Sequence, residues 1–97
     1  MLVVSILTLS LEIEYAASLK DKRSVVKSLK ERMQHRFRIS VAEVDGNDSL
    51  GHATIAAAVL SNSRSHGESV LAKVLAFAEK NASARIADVE IFSEVYD

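Results

Sequence analysis

The chain has no cysteine, no proline and no tryptophan, and only three glycines in 97 residues. Without cysteine there is no disulfide, no thiolate metal ligand and no cysteine nucleophile, which fits a reducing cytosol. With no proline, and glycine confined to Gly46, Gly51 and Gly67, nothing marks a linker, a repeat or a low-complexity stretch. A single domain over residues 1–97 is expected. Long apolar runs are missing too. Residues Met1–Leu9 are apolar but lack a positive leader and a small-residue cleavage site. The run breaks at Glu12 and Glu14, well short of the ~20 residues a membrane helix needs, so it reads as a strand.

What is present is charge, unevenly placed. Residues 20–38 hold eight of the twelve Lys and Arg residues but only two acids, Asp21 and Glu31. That segment is therefore +6 and the remaining 78 residues −7, for a balance of −1. An apolar share of 48% beside 26% charged residues is that of a globular domain, so the segregation marks a basic face and not a disordered tail.

Alternation at period two runs through Val3, Leu7, Leu9, Leu11 and Ile13 and predicts a first strand over residues 2–13. Ser18 has the chemistry of a helix N-cap, and Asp21 suits the positive end of the helix dipole. Val25, Val26, Leu29 and Met33 recur at helical spacing up to about Arg36. Lys22 falls on the same buried meridian, so it must snorkel or meet a carboxylate. Residues 38–45 read as a second strand, with a change of phase that predicts a β-bulge near Val41–Glu43. A turn follows, and then a third strand over 51–60 with Ala53, Ile55, Ala57 and Val59 facing the core. Ser65 and Glu68 have capping-box spacing at the head of a second helix. That helix buries Val70, Leu71, Val74, Leu75 and Ala78 and ends at Asn81 in a left-handed conformation. A last strand, 85–96, buries Ala87, Val89, Ile91 and Val95. The order β-α-β-β-α-β implies an α+β, ferredoxin-like fold: a four-stranded antiparallel sheet with both helices on one face.

Such a sheet leaves one face open, showing Val4, Ile6, Thr8, His52, Thr54, Ala56, Ala58, Ile86, Asp88, Glu90 and Phe92. An RNA-binding sheet of this topology carries two or three aromatics beside basic residues. Here Phe92 stands alone among acids, which excludes that mode. Val4, Ile6, Ala56, Ala58 and Phe92 form instead an apolar patch suited to a homo-oligomer interface.

Catalytic and metal chemistry find little support. His35, His52 and His66 lie on three different elements without ligand spacing, so no metal is expected, and no cofactor either. Glu43 and Asp45, read as sharing one strand face, more simply form a solvated or salt-bridged strand end than an acid–base pair. Ser61, Ser63 and Ser65 are spaced for capping, with nothing to activate a nucleophile. The phosphate-cradling signature of acylphosphatases, which share this size and fold, is missing. An enzyme is not expected. The basic stripe differs because it is a pattern over four turns. Lys20, Arg23, Lys27 and Lys30 share an arc of about 80° beside the buried face, with Arg36 and Arg38 beyond. Together they could meet several phosphates with salt-dependent, sequence-independent affinity.

At Ser18–Leu29 (SLKDKRSVVKSL), Arg36–Asp45 (RFRISVAEVD) and Ala56–Asn62 (AAAVLSN) the sequence resembles the YlxP family, bacterial proteins of about this length and unknown function. The family often has Leu-Trp-Gln-Arg-Ala after that Asp; here residues 48–53 read DSLGHA, without Trp or Arg. The resemblance implies a ferredoxin-like fold and a cytoplasmic protein. Relatives are frequently encoded beside translation initiation factor two and ribosome-binding factor A, which implies a role in ribosome maturation or translation. The expected partner is structured RNA or the small ribosomal subunit. The alternative is a homo-oligomeric module docking on an acidic protein, with no nucleic acid. Neither a membrane nor a small-molecule substrate is expected.

Overall fold

In a computed structural model, residues 1–14, 18–46 and 49–97 are described. They form β1 (Leu2–Glu12), α1 (Leu19–Phe37), β2 (Ser40–Asp45), β3 (His52–Ser61), α2 (Arg64–Asn81) and β4 (Arg85–Tyr96). The strands make one antiparallel sheet in the order β2-β3-β1-β4, as the ferredoxin-like topology requires. No helix among the described residues is long and apolar enough to cross a membrane.

The core lies between the sheet and the helices. Val3, Leu7, Leu9, Leu11 and Ile13 of the β1 segment are buried, as are Ala53, Ile55 and Ala57 of β3. The helices supply Val26, Leu29 and Met33 from α1 and Leu71, Val74 and Ala78 from α2. Ser5 and Lys22 are the buried polar residues among those described. Ser5 lies beneath Gly67, where a Cβ would fall 2.2 Å from the Ser5 Oγ, so α2 approaches β1 through a glycine. The Ser5 hydroxyl meets Ser93 Oγ at 2.7 Å, and Ser93 in turn donates to Glu68 at 2.6 Å.

Several sequence expectations change in detail. The β2 bulge exists but sits at Val44, since Glu43 pairs with Ile55 and Asp45 with Thr54. Directly paired residues share a face, so Glu43 points to the helices and Asp45 to the open side. They do not share a face, and no acid–base pair forms. Burial of Lys22 explains the position: Glu43 stays on the helix side, where it meets that ammonium.

A second bulge, at Ala87, separates the pairs Leu11–Ile86 and Ser10–Asp88. It moves Ile86 from the open face to the core side and leaves Ala87 exposed rather than buried. Val89 and Val95 remain 38% and 41% exposed because β4 is an edge strand with one neighbour. At the head of α2 the cap is Ser63, which accepts from the His66 amide at 3.2 Å. Ser65 lies inside the first turn, and Glu68 is engaged by Ser93 instead of closing a capping box. Finally, Asn81 is not left-handed: α2 ends at Ala82 in extended geometry, and the left-handed cap belongs to α1, at Arg38 with φ 53°.

Candidate nucleic-acid interface

Helix α1 is set in place at three points. Ser18 caps it, accepting from the Asp21 amide at 3.1 Å. Lys22, 1% exposed, donates from Nζ to Glu43 Oε2 at 2.8 Å and to the Gly46 carbonyl at 2.7 Å. Gln34 Nε2 donates to the Val41 carbonyl at 3.0 Å. Gly46 has φ 86°, and a Cβ there would lie 2.6 Å from the His52 carbonyl oxygen, so the backbone that receives Lys22 needs glycine. The 46–51 turn is otherwise described only from Ser49 onward; Asn47 and Asp48 lie outside the described residues.

With α1 fixed, its two flanks face different ways. On the β2 side Arg23, Lys27 and Lys30 line one shallow groove with Glu31, Gln34 and Glu43. Lys27 also sits 3.8 Å from Glu31, an exposed i,i+4 pair worth tenths of a kcal/mol. Lys20 is exposed one turn earlier on the same flank. Arg36 is not part of that stripe: it lies about 120° or more around the helix from Lys30, on the α2 side. Arg38 is exposed at the C-cap. The six basic residues read from the sequence thus divide into a stripe of four and two at the C-terminal end.

The α2 side holds a feature that sequence reading missed. Arg36 and Phe77 line two adjoining grooves between the helices, of about 520 and 590 Å³. Lys73 and Lys80 border the first; Arg32, His35 and Glu31 border the second. The Phe37 and Phe77 rings meet edge to face, 5.6 Å apart at 83°. The guanidinium carbons of Arg32 and Arg36 each lie 5.7 Å from the Phe77 centroid, within cation–π range. Arg32 is held by Asn81, through the side-chain oxygen at 2.7 Å and the carbonyl at 3.3 Å. The only sequence trace of this arrangement is that Lys73 and Lys80 flank Phe77 at helical spacing.

The open sheet face brings Val4, Ile6, Ala56, Ala58 and Phe92 together, all half-buried. Phe92, Ile6 and Ala58 form a row across three strands. Leu2, Leu60 and Tyr96, which the sequence reading omitted, extend the patch at 47%, 71% and 48% exposure. Acids interleave with it: Glu94 opposite Val4, Glu90 opposite Thr8 and Asp88 opposite Ser10. Arg85 is tied to Glu12 at 2.6 Å. The Tyr96 hydroxyl donates to Glu94 at 2.6 Å, and that hydrogen bond and the carboxylate charge raise the phenol above its ordinary pKa. Among the described residues no three His, Asp or Glu side chains converge as metal ligands.

Fold and topology define the class, an α+β ferredoxin-like domain with a basic helical layer and an acidic, partly apolar sheet face. The chain belongs to the family described as "Protein of unknown function (DUF503)", which matches residues 4–91. It is 39% identical over 62 residues to the uncharacterized protein YlxP of Bacillus subtilis (strain 168), covering 64% of this chain and 67% of that one. Among solved structures it resembles the de novo designed protein Foldit4, with a TM-score of 0.58 and 13% identity over the whole of both chains. That likeness concerns the fold alone.

Proposed function

We propose that this is a cytoplasmic binding protein, not an enzyme, whose partner is structured RNA, with the small ribosomal subunit as its setting. The contact surface is Lys20, Arg23, Lys27 and Lys30 of α1, extended by Arg36 and Arg38. The observation that carries this reading is the convergence of Arg23, Lys27 and Lys30 on one groove beside β2. The Lys22 anchor supports it, because a helix locked to its sheet fixes the line along which those cations are spaced. Phosphate contacts of this kind release counterions and give affinity that falls steeply with salt.

The test is co-sedimentation with separated ribosomal subunits across a salt series, beside a Lys20→Glu, Arg23→Glu, Lys27→Glu variant. Wild type is expected to pellet with one subunit, and the variant to lose binding and flatten the salt slope by about three phosphate contacts. Equal behaviour of the two proteins would refute the stripe as the contact.

A second reading is a homo-oligomeric interaction module with an acidic protein partner. It is favoured by the uncovered row Phe92–Ile6–Ala58 and its extension through Leu60 and Tyr96. It expects weak salt dependence, and loss of binding on Ile6→Lys or Phe92→Glu.

A further inference from the structure

The inter-helix groove has a composition that the stripe lacks. Arg36, Lys73 and Lys80 border its first compartment with Phe37 and Phe77, and no acid lines it among the described residues. Glu31 borders the second compartment, and the stripe groove contains both Glu31 and Glu43. Cations alone recognise a phosphate backbone; cations layered on aromatic rings recognise an anion that also has a flat face. An unpaired nucleotide is such a ligand, since its base stacks on an aromatic ring or on a guanidinium plane while its phosphate takes lysine.

The parts are already arranged. Asn81 holds the Arg32 guanidinium near Phe77, and the Phe37 ring fixes Phe77 edge-on. Arg36 lies within 6 Å of both rings, at 5.8 Å from Phe37 and 5.7 Å from Phe77, and is itself exposed. Its guanidinium thus lies beside both rings on a residue that remains exposed. Lys73 and Lys80 are exposed on α2, seven residues and so about two turns apart, at the rim of the same groove. At about 520 Å³ it is the size of ordinary small-ligand clefts, large enough for one base and its sugar.

We propose that this groove binds an unpaired nucleotide of the RNA partner, the base stacking on the Arg36–Phe77 layer and the phosphate lying between Lys73 and Lys80. The inference rests on the RNA reading above but concerns a surface that shares only Arg36 with it. The stripe grips paired backbone, and the groove takes a base that a duplex cannot offer.

Fluorescence anisotropy separates the two. The probes are a blunt RNA duplex and the same duplex with a short single-stranded overhang. Wild type is expected to bind the overhang form about tenfold more tightly, the value of one stacked base. Phe77→Leu keeps apolar bulk but removes the ring, and should lose that gain while blunt-duplex affinity stays as it was. Phe77→Tyr, which restores a ring, should keep it, and Lys73→Gln with Lys80→Gln should reduce it. Thermal melts confirm that each variant is folded. Equal wild-type affinity for the two probes would overturn the groove proposal and leave the stripe standing. So would an overhang gain that survives Phe77→Leu. Failure of wild type to bind either probe would overturn both readings. Adenosine monophosphate displacing the overhang probe at concentrations comparable to the overhang RNA would refute an RNA-strand site in favour of a free-nucleotide one.

Discussion

The buried contact between Lys22 and Glu43 gives the sharpest test of how this fold is held. The perturbation is Lys22→Met, which keeps the stem of the side chain and removes the charge. Lys22 is 1% exposed and Glu43 19%, so the substitution strands a mostly buried carboxylate. It also removes the donor to the Gly46 carbonyl. Breaking a fully buried pair from one side costs about 3–5 kcal/mol. Partial access of water to Glu43 lowers that to about 2–4 kcal/mol. For a domain of this size each kcal/mol shifts the melting point by about 4–8 °C, so a fall of the order of 10–25 °C is expected. A second substitution, Glu43→Leu, should recover part of the loss, about 1 kcal/mol, because it removes the stranded carboxylate. What stays lost is about 1–3 kcal/mol for the Gly46 carbonyl without its donor. The assay is urea unfolding of the four proteins of the double-mutant cycle. A Lys22→Met variant within about 0.5 kcal/mol of wild type would refute the reasoning, as would strictly additive losses. Either would mean that the pair behaves like a solvated surface bridge.

Four smaller expectations follow from the same geometry. Gly67→Ala would place a Cβ 2.2 Å from Ser5 Oγ. The overpacking, about 1–3 kcal/mol, should exceed the ~1 kcal/mol that alanine gains in a helix, leaving the variant less stable in urea titration. Ser63→Ala should cost about 1 kcal/mol as the loss of a cap, while Ser65→Ala should cost a few tenths at most, read by the same unfolding curves. Tyr96, followed by ultraviolet absorbance in a Tyr15→Phe background, should ionise above the ordinary tyrosine value. Glu94→Gln should move that ionisation back down, because it removes the negative charge that disfavours the phenolate. Sedimentation equilibrium of wild type beside Phe92→Glu tests the open face; an oligomer is expected for wild type and a monomer for the variant, and a monomer in both would remove the second functional reading.

The elements themselves were legible because their signals are local. Leu7, Leu9 and Leu11 alternate at the strand period, and Val26, Leu29 and Met33 repeat at the helical one; the structure buries all six. The need of Lys22 for a carboxylate was also readable, since a lysine on a buried meridian has few alternatives. Its partner was not, because Glu43 is 21 residues away, and no local pattern tells which strand carboxylate will face the helix. The cap of α2 was misplaced for a related reason. Ser63 and Ser65 are equivalent in isolation, and Glu68 left the local capping pattern to bind Ser93 across the fold. The groove around Phe77 had the weakest trace, since half of it comes from each helix.

Period, polarity and charge order are properties of neighbouring residues, so the chain by itself determined six elements, their sequence, the α+β class and a basic first helix. Which of those cations stand together was decided only by packing. Docking α1 against β2 through Lys22 and against α2 through Arg32 turned one basic segment into two surfaces, a stripe beside the sheet and an aromatic-backed groove between the helices. Those contacts join residues up to 49 positions apart, a separation over which no local pattern carries information.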